Sequence, residues 1–119
     1  MSERPTICVR INDAVAHTRV ADLLNGIEEE QVPAELSRHG ELNPLILAHD
    51  ASQQSRLGVG VGVALDYVVI TTEKLPVDRP YLVVILNRSA ASDRAAGTNA
   101  ARLVKRMPLI DLRQLAPAE

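Results

Sequence analysis

The sequence contains no phenylalanine and no tryptophan, and its aromatic side chains are Tyr67 and Tyr81 alone. A core must therefore be built from Val, Leu, Ile and Ala. The shortage of aromatics argues against single-stranded nucleic-acid binding, which stacks bases on aromatic faces. A surplus of one charge is lacking too. The net charge of −2 argues against the basic footprint of a duplex-binding protein. No apolar run approaches the ~20 residues needed to span a bilayer. The single cysteine, Cys8, has no partner in the chain for a disulfide, which fits a reducing cytoplasm. Met1-Ser2-Glu3-Arg4-Pro5 shows no signal-peptide pattern. There are no repeats, linkers or low-complexity tracts. At 119 residues the expectation is one domain, 1–119, with enough chain for a modest core.

Residues 6–11 read as a first strand, rich in β-branched side chains. A helix follows, with Asn12 or Asp13 as its expected N-cap. Ala16, Val20, Leu23, Leu24 and Ile27 recur at three- to four-residue spacing and give it one apolar stripe. Pro33 stops it. Residues 34–38 make a weaker second strand, so a parallel pair joined by a right-handed crossover is expected. Residues 45–55 read as a helix, capped near Asn43 with Pro44 at its first position. Residues 57–65 alternate valine and glycine, which predicts a strand with one face of each. Residues 67–72 return through Leu65-Asp66 as the antiparallel arm of a hairpin. Residues 81–86 are an apolar run of the kind found in buried parallel strands. Residues 93–107 give a last helix, interrupted or started late around Gly97-Thr98 and ended by Pro108. The tail beyond offers Ile110, Leu112 and Leu115 as docking side chains.

One stretch breaks a local rule. Glu28, Glu29 and Glu30 occupy the last turn of the first helix, where the macrodipole is negative and Lys or Arg is favoured. No cation lies between Arg19 and Arg38 to offset them. Such a violation often marks a functional site. At about 100° per residue, Val20 and Ile27 lie near the centre of the apolar stripe. Glu28 and Glu30 fall on its flanks, and Glu29 points away, on a face with Thr18, Asp22 and Asn25. Glu29 is then the carboxylate available to a partner or a metal. The plainer reading is a solvated acidic helix end. A carboxylate group of this kind suits a hard cation such as Mg²⁺, which takes one or two protein carboxylates alongside waters and phosphates. The chain has no phosphate cradle of its own, so a nucleotide would be held by another chain.

Other candidates are weaker. Gly58-x-Gly60-x-Gly62 lies inside a strand, whereas a nucleotide-binding glycine run forms the turn between a strand and a helix. Glycines there let a helix or a partner backbone approach closely. His17, His39 and His49 have no ligand spacing with one another or with Cys8. Ser37, Ser89 and Ser92 have no nucleophile elbow. The last helix packs small residues from Gly97 onward and ends in Arg102, Lys105 and Arg106, the charge order its dipole favours.

Two stretches together, Gly26-Ile27-Glu28-Glu29-Glu30-Gln31-Val32-Pro33 and Asn99-Ala100-Ala101-Arg102-Leu103-Val104-Lys105, resemble the small subunit of diol and glycerol dehydratase-reactivating factors. Between them, Gln54-Ser55-Arg56-Leu57-Gly58-Val59-Gly60 and Lys74-Leu75-Pro76 resemble a serine-rich helix end, a Val-Gly strand and a Leu-Pro loop of that family. The similarity covers residues 6–112, with a poor match between Pro33 and Gln53. The resemblance implies an α/β fold, a three-layer α/β/α sandwich. Its five-stranded mixed sheet has order 2-1-3-4-5 with strand 4 antiparallel, similar to the dehydratase medium subunit.

The resemblance also implies a chaperone subunit, not an enzyme. It pairs with a large ATPase subunit, as a heterotetramer of two large and two small chains. It serves a coenzyme-B12-dependent diol or glycerol dehydratase, taking the place of that enzyme's medium subunit so that damaged cobalamin leaves. No cofactor is implied on this chain alone; Mg²⁺ with ADP or ATP belongs to the partner. Neither nucleic acid nor membrane is involved. The implied location is the cytoplasm, with association with a bacterial microcompartment left open. In the family one glutamate of a Gly-Ile/Leu-Glu-Glu motif reaches the large subunit's Mg²⁺ site, and the match falls on Glu29. Gln31 stands where the family often has Gly. A helix one residue longer would leave Glu28 or Glu30 as the alternative ligand. A dehydratase medium-subunit-like structural module and a small nucleotide-binding α/β domain are the competing functional readings.

Overall fold

The computed structural model describes residues 4–111. The chain runs β1 (Ile7–Asn12), α1 (Ala21–Glu29), β2 (Ala34–His39), α2 (Pro44–Gln54), β3 (Val59–Ala64), β4 (Tyr67–Thr72), β5 (Leu82–Ile85) and α3 (Ala90–Lys105). A 3-10 turn over His17–Val20 leads into α1. The sheet order is β2-β1-β3-β4-β5. β1 pairs parallel with β2 and with β3, and β4 is antiparallel to both β3 and β5. Fold class, strand order and the odd strand all agree with the expectation.

The valine–glycine alternation of β3 sorts the layers. Val59, Val61 and Val63 join Ile7, Val9 and Ile11 of β1 and Val68 and Ile70 of β4 on one face. Leu23 and Ile27 of α1 and Ala96, Ala100 and Ala101 of α3 complete that cluster. Aliphatic and alanine side chains suffice for this core because α1 and α3 lie so close. On the opposite face β3 presents glycine, and α2 settles there. A β-carbon on Gly60 would fall on Ser52 N and Ala48 O, and one on Gly62 on Ala48 N and Pro44 O. The glycines are thus filled by helix backbone, which removes the nucleotide-loop reading.

α2 begins as expected. Asn43 accepts from Leu45 N at 2.9 Å, and Pro44 occupies the first turn, where no N–H is required. The start of α1 differs. Asn12 closes β1 instead of capping a helix. Its Nδ2 donates to Glu41 O at 2.8 Å and its Oδ1 accepts from Ala14 N at 2.9 Å. The oxygen serves the turn after β1, and the first helical turn begins only at His17, out of its reach. Ala16 therefore stays exposed outside the stripe, while Val20, Leu23 and Ile27 are fully buried.

β5 is a second correction. It lies at the sheet edge, and α2 covers only β1, β3 and β4. Leu82 and Val84 turn toward the α1–α3 core, whereas Val83 and Ile85 are 53% and 50% exposed. A short apolar run looks the same whether one face or both are covered. α3 is a third. It starts at Ala90, where Ser89 Oγ accepts from Ser92 N at 3.0 Å, and continues through Gly97-Thr98 without interruption. The tail folds back on α3. Asn99 donates to Ile110 O at 3.0 Å and accepts from Ile110 N at 2.7 Å. Leu112 and Leu115 lie outside the described residues, as do Met1, Ser2 and Glu3.

Candidate functional site

The end of α1 fixes where the three carboxylates stand. The helix ends at Glu29, and Glu30 donates its N–H to Ile27 O at 3.2 Å. Gln31 N reaches Glu28 O at 2.8 Å, and Gln31 has φ 64°, the left-handed position that favours glycine after a helix. The chain then drops into β2, with Pro33 O accepting from Ile7 N at 2.9 Å. The three carboxylates are held at a fixed turn, and each has a different environment.

Glu30 is the most committed. Its carboxylate lies 3.4 Å from Lys105 Nζ and 4.0 Å from Arg102 Nη2, with the side chain only 21% exposed. Glu29 is 58% exposed; its Oε2 lies 3.6 Å from Arg94 Nε. Among the described residues, neither oxygen of the Glu29 carboxylate accepts a hydrogen bond, and the ion pair is made through Oε2. The same guanidinium holds Asp22 Oδ1 through Nη2 at 3.1 Å. Glu28 is exposed and lines a surface hollow with Arg4, Gln31, Val32 and Pro33.

The missing compensation is therefore supplied by α3. The two helices run side by side in the same sense, so that Asp22 meets Arg94 and Glu30 meets Lys105. These partners are 72 and 75 residues apart in sequence, beyond the reach of a reading along the chain. The outward face predicted for Glu29, shared with Asp22, is the face found.

Among the described residues, no three His, Cys, Asp or Glu side chains gather into a group that could hold a metal ion. One exposed carboxylate can still furnish a single oxygen to a hard cation whose other ligands come from a second chain, and Glu29 fits that part. No helix of the described residues is long and apolar enough to cross a membrane.

The remaining sequence candidates do not assemble. Ser37 Oγ and His39 Nε2 lie 2.7 Å apart on the exposed edge strand β2, but Glu35 is turned to Thr6 Oγ1 at 3.4 Å instead of orienting the imidazole. Cys8 is partly buried, and burial pushes its thiol pKa up despite an opposing hydrogen bond with Thr6. A thiol held protonated is a poor nucleophile.

Sequence reasoning missed one network. Arg19 donates to Asn87 Oδ1 at 2.7 Å, to Leu65 O at 3.2 Å and to Asp66 Oδ1 at 3.0 Å. Asn87 in turn donates through N and Nδ2 to the two Asp93 oxygens, both at 2.8 Å. This ties the β3–β4 turn and the end of β5 to the start of α3. No local pattern announces it. Both tyrosines are also exposed, Tyr67 at 45% and Tyr81 at 49%. Tyr67 stands opposite Ile85 in the sheet register.

A five-stranded mixed sheet between one helix and a close-packed pair defines a protein of α/β class, a three-layer sandwich. Comparison with known proteins gives the family. The dehydratase medium subunit family matches residues 4–110. The chain is 34% identical to the diol dehydratase-reactivating factor small subunit of Klebsiella michiganensis, over 82% of this chain and 78% of that protein. It is also 34% identical to the propanediol dehydratase-reactivating factor small subunit of Salmonella typhimurium, over 76% of this chain and 78% of that one. Among solved structures, it resembles a chain of diol dehydratase-reactivating factor complexed with ADP and Mg²⁺, with TM-score 0.84 and 31% identity. That match covers 90% of this chain and 98% of the other. A chain of glycerol dehydratase reactivase matches with TM-score 0.85 and 28% identity, over 91% and 98%. The chain belongs to the dehydratase medium subunit family and, within it, is similar to the small subunits of dehydratase-reactivating factors.

Proposed function

We propose that the chain is the non-catalytic small subunit of an ATP-dependent chaperone that reactivates a coenzyme-B12-dependent diol or glycerol dehydratase. A large subunit carries the nucleotide and its Mg²⁺. The small subunit exchanges with the dehydratase's medium subunit, which loosens the enzyme and lets damaged cobalamin out. One observation carries this reading: a single fold answers both to the dehydratase medium subunit family over residues 4–110 and to reactivating-factor small subunits. A chain shaped like a subunit of its target can take that subunit's place.

Within this reading Glu29 is the residue that contacts the partner's Mg²⁺. When bound, the ion supplies a hard positive centre to which a carboxylate adds one ligand. Support comes from the exposure of Glu29, from its uncommitted Oε1 and from the burial of Glu30 between two cations. A contact made in one nucleotide state and not another shifts the exchange equilibrium by its differential affinity.

The test is size-exclusion chromatography with light scattering on this chain mixed with the cognate large subunit. Co-elution at the mass of a complex of two large and two small chains is expected. Separate peaks overturn the proposal in favour of a medium-subunit-like structural module. That second reading draws on the family match itself. It predicts cobalamin binding when the chain is mixed with a dehydratase large subunit.

A further inference from the structure

We propose that Arg94 is a positioning residue for Glu29. Anchored on Asp22, it holds the Glu29 carboxylate by Oε2 and leaves Oε1 free for a cation carried by a partner chain. The inference rests on the metal role of Glu29 proposed above and adds a residue to it.

The geometry starts from the helix crossing. The Arg94 carbonyl lies directly against Gly26, so closely that a β-carbon there would overlap it. The Arg94 backbone is thereby fixed relative to α1. Its side chain runs out along the exposed face of α1, with Nη2 3.1 Å from Asp22 Oδ1 and Nε 3.6 Å from Glu29 Oε2. Asp22 and Glu29 are two helical turns apart on one face. Side chains on a helix lean toward its N-terminus, so Glu29 leans back toward the guanidinium.

Three consequences follow from the chemistry. A glutamate at a helix end has high rotamer entropy, and ordering it before association removes part of the cost of binding. The guanidinium orients the Glu29 carboxylate by charge, at 3.6 Å and beyond hydrogen-bond length, as outer partners orient ligating carboxylates. A lone arginine would repel an incoming cation, but Asp22 cancels that charge. The triad Asp22–Arg94–Glu29 therefore presents one net negative charge with one carboxylate oxygen uncommitted.

The experiment measures affinity of the full chain for the cognate large subunit by titration calorimetry. It is run with Mg-ADP and again after EDTA treatment, on wild type, Glu29→Gln, Arg94→Gln, Arg94→Lys and the Glu29→Gln/Arg94→Gln double variant. Thermal melting of each free chain confirms folding; the Arg94 side chain is 46% exposed, so its variants are expected to fold. Arg94→Gln should weaken association about threefold with Mg-ADP, the scale of an exposed ion pair, and leave it unchanged in EDTA. Arg94→Lys should restore part of the loss. In the Glu29→Gln background Arg94→Gln should have no further effect, because its action runs through Glu29. A loss from Arg94→Gln of the same size in EDTA, or wild-type affinity for Arg94→Gln while Glu29→Gln is weakened, overturns the role of Arg94 and leaves Glu29 in place. Wild-type affinity for Glu29→Gln overturns the metal reading itself, and the role of Arg94 with it.

Discussion

Gly26 of α1 and Gly97 of α3 lie at one helix crossing, each pressed against the other helix's backbone. A β-carbon on Gly26 would overlap Arg94 O, and one on Gly97 would overlap Leu23 O. Thr98 Oγ1 lies 3.4 Å from Gly26 O at the same crossing. This approach sets the height of both helices over the sheet, and it brings Arg94, Arg102 and Lys105 of α3 beside Asp22, Glu29 and Glu30 of α1.

Two effects oppose each other in Gly97→Ala. Alanine is the better helix former by about 1 kcal/mol. The overlap forces the helices apart, which costs about 1–3 kcal/mol in a packed core. The clash is with backbone, which cannot rotate away, so packing wins. Urea unfolding should show a lower midpoint for Gly97→Ala, and also for Gly26→Ala. A raised midpoint for either would mean that the helices are not in contact there.

Strands and layers were legible because their signals are local. The alternation in β3 displayed its two faces, and Asn43-Pro44 displayed the start of α2. Three features were not legible. Asn12 has a cap residue's chemistry but spends it on Glu41 O and Ala14 N, a choice made by the loop after β2. The exposed face of β5 depends on how far α2 extends across the sheet. At the candidate site, helical periodicity places Glu29 outward, as found, yet the carboxylates look uncompensated along the sequence because their cations arrive from α3. The proposed partner and metal contact rest on the resemblance, because geometry within one chain contains neither.

Asn99 is almost fully buried at 1% exposure, and its amide meets both backbone groups of Ile110. Asn99→Asp keeps the acceptor but sets a carboxylate oxygen against the Ile110 carbonyl. A loss of about 1–3 kcal/mol is expected from the unsatisfied buried groups. Hydrogen exchange should show the Ile110 amide losing protection in Asn99→Asp. Unchanged protection would remove the clamp.

Cys8 gives a pH test. Burial pushes its thiol pKa above the ordinary value in the folded chain, so the folded state binds the proton more tightly than the unfolded one. The stability contribution is complete below the unfolded thiol pKa and is lost as pH rises through the folded one. Iodoacetamide should therefore modify Cys8 more slowly in the folded chain than in urea at the same mildly alkaline pH. Cys8→Ser should flatten the alkaline fall in stability. Equal alkylation rates in both states would contradict a protected thiol.

Glu29 and Glu30 are neighbours with opposite expected roles. Glu30 sits between Lys105 and Arg102 with its side chain 21% exposed, whereas Glu29 is 58% exposed with one ion pair at 3.6 Å. Glu30→Gln should lower the stability of the free chain by up to about 1 kcal/mol, an effect weakened by salt. Glu29→Gln should change it by less than about 0.5 kcal/mol, as is usual for a surface substitution. Affinity for the Mg-ADP-loaded large subunit should order the two the other way, with Glu29→Gln the more damaging. Thermal melts at low and high salt, set beside the two binding constants, decide the matter. If Glu30→Gln weakens association more than Glu29→Gln while both chains melt like wild type, the metal contact belongs to Glu30 and the α3 cations are its carriers instead of its anchors.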